Sequence, residues 1–122
     1  MEQEARPPGK TTVAPDVLVE IARMAALKVD GVNSMAPVSG GVNLLFRRGI
    51  VDGVRITIED DVVYADLYII LKEGVNIRNT SREVQKVVTR AITEMVGMDV
   101  AEANIHIENI AFEKDEQEAE TA

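Results

Sequence analysis

The chain has 122 residues, 46% of them apolar and 28% charged, which fits one globular domain. Its net charge of −8 lacks the positive footprint of a nucleic-acid binder. The absence of cysteine excludes disulfides and metal sites built on thiolates.

Aromatic residues make up 3% and tryptophan is missing, so the core must be built from Val, Ile, Leu, Met and Ala. The charge is unevenly spread. Residues 1–12 balance Glu2 and Glu4 against Arg6 and Lys10. Residues 113–122 set five acids against Lys114 and carry −4, which leaves −4 for residues 13–112. The sequence therefore divides into a disordered arm over 1–12, one α+β domain over 13–112 and an acidic disordered tail over 113–122. No stretch approaches the roughly 20 apolar residues of a membrane span. The first residues also lack the apolar run of a signal peptide. These features predict a cytoplasmic protein with no transmembrane segment.

A first helix is expected from Pro15, a residue suited to the first helical position, to Val29. Ala14 is a poor cap for it. Val17, Leu18, Ile21, Met24 and Ala25 share the apolar side. Val32 to Ala36 reads as a short strand. Residues 37–53 form a long loop whose tip sets Leu44, Leu45 and Phe46 beside Arg47 and Arg48. That tip either tucks against the domain or contacts a partner.

Next come two strands of strict alternation. Val54, Ile56 and Ile58 alternate with Arg55, Thr57 and Glu59, and Val63 to Leu71 do the same. A two-residue turn at Asp60 and Asp61 sets Arg55 opposite Asp66, Thr57 opposite Tyr64 and Ile56 opposite Ala65. This register satisfies both faces of the pair.

A long amphipathic helix follows. Thr80 and Glu83 have the spacing of a capping box, and Gly97 a position suited to the stop. Val84, Val87, Val88, Ala91, Ile92 and Met95 form its apolar stripe. Arg82, Lys86 and Arg90 recur at steps of four on the opposite side, with Arg78 extending the row if the helix starts a turn earlier. Like charges at this spacing cost a helix a few tenths of a kcal/mol per pair. The row is either a solvated face or a docking strip for an acidic partner or anionic surface.

The last strand, from Val100 to Ile110, points Ile105 and Ile107 inward and Asn104, His106 and Glu108 outward, with a bulge or fray at Asn109. The order is α-β-β-β-α-β. It predicts a three- to four-stranded sheet with both helices on one face and the other face open. That open face collects Arg55, Tyr64, Tyr68 and His106. They form a half-exposed surface, a self-association surface or a stacking platform for RNA; the acidic balance opposes the last.

No catalytic, cofactor or metal site emerges. His106 is the single histidine, and no hydroxyl or thiol nucleophile is placed for it to activate. Glu59, Asp60 and Asp61 sit on too short a turn for a calcium cage.

Several segments resemble the alkaline-shock or general-stress family of envelope stress response proteins of Gram-positive-type bacteria. They are IARMAALKVDGV at 21–32, GVRITIEDDVVYADLYIIL at 53–71, GVNI at 74–77, MVGM at 95–98 and VAEANIHI at 100–107. The resemblance covers about residues 13–110. Arg78 stands where the family often has proline. The resemblance implies a non-enzymatic cytoplasmic adaptor without cofactor or small-molecule substrate. It further implies a place at the inner membrane face through a membrane-anchored partner, and self-association. The alternative is an RNA- or ribosome-associated module that uses the open sheet face.

Overall fold

The computed structural model describes residues 8–37, 50–51 and 53–112. Its elements are α1 (Pro15–Leu27), β1 (Val32–Met35), β2 (Ile50–Val51), β3 (Val54–Glu59), β4 (Val62–Lys72), α2 (Ile77–Val96) and β5 (Asp99–Ala111). This is the expected α+β order, with the two-residue β2 added ahead of β3. Residues 8–12 of the expected arm are described and enter no helix or strand; residues 1–7, the loop tip with Phe46, Arg47 and Arg48, and the acidic segment from residue 113 lie outside the described residues.

The sheet is built around β4. On one edge β5 runs parallel to it over the whole length, from Val62 opposite Asp99 to Lys72 opposite Ala111. The other edge is shared end to end. β3 pairs with Val62 to Leu67, and β1 pairs with Ile69 to Leu71. β2 adds a short pairing to the outside of β3.

Gly53 closes the seam between β3 and β1. Its carbonyl accepts from the Tyr68 N–H at 2.7 Å, and the Tyr68 carbonyl accepts from the Ala36 N–H at 2.8 Å. Its φ is +77°, and a Cβ there would lie 2.4 Å from the Ala36 oxygen and 2.7 Å from the Tyr68 oxygen. Only glycine fits both the conformation and the space.

The hairpin has the expected register at every pair, from Val54 opposite Leu67 to Ile58 opposite Val63. Asp60 and Asp61 both take positive φ, 53° and 64°. Their turn thereby matches the right-handed twist of the strands, and short polar side chains tolerate that conformation.

Both helices cover the same face. Val63, Ala65, Leu67, Ile69 and Leu71 of β4 are sealed against Leu18, Ala22 and Ala26 of α1 and Val84, Val88 and Ile92 of α2. α1 is turned from its expected orientation. Val17 is 47% and Met24 52% exposed, while Val19, Ala22 and Ala26 are buried. Leu18, Val19 and Ile21 fill the buried side together with Ala22, Ala25 and Ala26, whose small side chains let the helix approach closely.

Both ends of α2 also differ in detail from expectation. The cap is Asn76, whose side-chain oxygen accepts from the Asn79 N–H at 2.9 Å. Thr80 lies inside the helix and is buried, so the Thr80–Glu83 box does not form. Asn is the stronger capping residue and takes the start one turn earlier, which brings Arg78 into the helix. At the other end Gly97 is left-handed and its N–H bonds the Thr93 carbonyl at 2.9 Å, a single αL stop. Met95 leaves the stripe and is 70% exposed.

β5 carries two irregularities against β4, which leave Ala101 and Glu108 without an opposite residue. The second bulge falls one residue before Asn109, whose side chain accepts from the Ile110 N–H at 2.8 Å.

Candidate interaction surfaces

Two surfaces carry the polar residues singled out by the sequence. The first is the outer face of α2. Arg78, Arg82, Lys86 and Arg90 are all exposed, and among the described residues none of them forms an ion pair. They follow one another along the helix because the valine stripe, at the same period, is held against the sheet. In the described part of an acidic chain, this row is a continuous cationic strip.

The second surface is the face of the sheet opposite the helices. It is organised by Asp66. The β3–β4 register sets Arg55 beside it, and Arg55 Nη2 donates to Asp66 Oδ2 at 3.3 Å. The β4–β5 register brings Asn104 Nδ2 to Oδ1 at 3.2 Å and His106 Nε2 to the same oxygen at 3.1 Å. With its proton on Nε2, the imidazole donates. Tyr68 lies opposite His106, and the two rings stack with centroids 4.5 Å apart at 15°. Tyr64 is half-buried on the same side, two residues from Asp66. Arg55, Tyr68 and His106 are thus joined into one unit.

Asp66 was not among the candidate residues, although it is the hub. A lone carboxylate in the middle of a half-buried strand is a sequence signal that calls for donors. Burial by itself raises the pKa of Asp66. The hydrogen bonds from His106 and Asn104 and the Arg55 charge outweigh it and hold the carboxyl below the usual range. An unfolded Asp titrates near pH 4, so the stabilisation is complete above about pH 4. It is lost as pH falls through the lower folded value. Asp66→Ala is therefore expected to cost about 1 kcal/mol at neutral pH, and less in acid. Urea unfolding across the acid range checks this. A cost that does not diminish as the pH falls below the range of the unfolded carboxyl contradicts the network.

The His106–Asp66 contact has the form of a base and its orienting carboxylate. Among the described residues Asp66 is the only hydrogen-bond partner of the His106 side chain. No group of three or more His, Cys, Asp or Glu that could hold a metal occurs among the described residues. No described helix is long and apolar enough to cross a membrane.

A model of the ASP-23 family, described as having a cell envelope-related function, matches residues 3–112. The chain belongs to this family. It is also 32% identical over 123 residues to Bacillus subtilis YqhY, covering 98% of this chain and 90% of that protein. It is 33% identical over 109 residues to Streptococcus pyogenes Spy1535, covering 87% of this chain and 82% of that one. Among solved structures, a MamM CTD has a TM-score of 0.49 at 14% identity, covering 77% of this chain and 93% of that one. Membership therefore spans both surfaces and every element of the sheet.

Proposed function

We propose that this family member is a non-enzymatic cytoplasmic adaptor of the cell envelope. In this reading α2 presents its cationic row to an acidic surface on a membrane-anchored partner protein, and copies of the chain associate with one another. One observation carries the reading: Arg78, Arg82, Lys86 and Arg90 form an exposed row with no ion pair among the described residues. A row of like charges weakens the helix that bears it, and an acidic partner would offset that cost. The envelope-related family description agrees with a partner at the membrane. The sequence tip at Phe46, Arg47 and Arg48 is a second candidate contact, outside the described residues.

The open sheet face supports an RNA-binding module less well. One face of the Tyr68 ring is already stacked on His106, and Arg55 is already paired with Asp66. Both groups would have to break contacts before they could take a base or a phosphate.

The test is a pull-down from detergent-solubilised cells, comparing the native chain with the triple variant Arg82→Glu, Lys86→Glu, Arg90→Glu. All three positions are exposed, so the variant should keep a cooperative melt. Capture of membrane-anchored partners is expected to fall at least about tenfold, because reversal puts like charges across the contact. Unchanged capture would mean that the row is only solvated. RNA or ribosomal proteins as the sole catch would favour the sheet-face reading.

A further inference from the structure

The cationic row has a candidate occupant within its own chain. β5 ends with Ala111 paired to Lys72, and only Glu73 to Asn76 separate Lys72 from the first residue of α2. The chain therefore leaves the sheet at Phe112 beside the start of α2, at the Arg78 end of the row. Phe112 is itself 46% exposed. The residues that follow, EKDEQEAETA at 113–122, hold Glu113, Asp115, Glu116, Glu118 and Glu120 against the single Lys114. They carry −4 over ten residues, and they follow Phe112 at the Arg78 end of the exposed cationic row.

We propose that residues 113–122 dock in cis along the outer face of α2, setting their carboxylates against Arg78, Arg82, Lys86 and Arg90. They thereby compete with an acidic partner for the same strip. The reach is sufficient. From Arg78 to Arg90 the helix rises about 18 Å, and ten residues of extended chain span up to about 33 Å. The start of α2 adds attraction, since its unpaired N–H groups make that end of the helix positive. Tethering raises the local concentration of the segment to the millimolar order, so individually weak ion pairs suffice. The proposal rests on the row as a docking strip, but not on any membrane partner. A partner would have to be more acidic, or fit better, than this segment to displace it.

The chain has no cysteine, so Thr121→Cys provides one site for a spin label in the full-length protein. Amide spectra should show the backbone signals around Arg82, Lys86 and Arg90 broadened at low salt. They should recover at about 1 M salt, where the screening length drops to about 3 Å. Broadening should also vanish when Glu113, Glu116, Glu118 and Glu120 are changed to Gln and Asp115 to Asn. That neutralised chain should capture several-fold more partner in the pull-down. Absence of broadening on the row, or broadening that survives neutralisation, would overturn the proposal. So would broadening that arises only between differently labelled copies, which would assign the segment to a second copy. A silent label alongside capture that still depends on the row removes the cis contact and leaves the adaptor reading standing.

Discussion

Gly53→Ala should destabilise the fold by about 2–4 kcal/mol, a large share of the roughly 5–15 kcal/mol that holds a domain together. Two costs add. The residue sits at φ +77°, where a side chain is strained. The new methyl would also press on two backbone oxygens, 2.4 Å away on Ala36 and 2.7 Å on Tyr68. Backbone cannot swing aside as a side-chain tip can, so β1 and β3 must separate on the edge of β4. Gly97→Ala separates the two costs. Its φ is +81° but nothing lies within 4 Å of the added carbon, so about 1 kcal/mol is expected. Denaturant midpoints of both variants check the contrast; equal losses would mean that the seam is not tight.

Leu67→Ala should cost about 3–5 kcal/mol. Leu67 is fully buried at the middle of β4. It is flanked by Val54 on one neighbouring strand and Ile105 on the other, with both helices above the same face. A strand anchored on both edges cannot collapse into the hole, which places the cost in the upper part of the range for such truncations. The adjacent Asp66→Ala, directed to the other face, should cost about a third as much or less. Thermal melts of the two variants side by side would show whether the helix-covered face carries the stability. A Leu67→Ala loss as small as that at Asp66 would contradict the packing.

This division of labour suits the proposed adaptor role. The helix-covered face supplies rigidity, while the α2 row and the Asp66 network occupy surfaces whose alteration leaves the core intact. Charge reversal on α2 can therefore be interpreted as a binding effect when the melt is preserved.

The residues determined the local order of this chain directly. Alternation in β3 and β4 set the hairpin and its register, because each side chain must face either helix or solvent and a slip of one residue would invert every one. The valine stripe set which side of α2 is buried and left the cations outside. The helix start was less legible, since Asn76 and Thr80 are both capping residues; the stronger capping of Asn76 and the burial of Thr80 together place the start one turn earlier. Tertiary structure alone decided the partner of β5. Its pairing with β4 brings His106 to Asp66 across 40 residues and Asn104 across 38. Periodicity marks which way a side chain points but carries no information about which strand lies alongside. The Asp66 hub therefore arises from a contact between distant segments. So does the exit of Phe112 beside α2, which places the acidic residues at one end of the basic row.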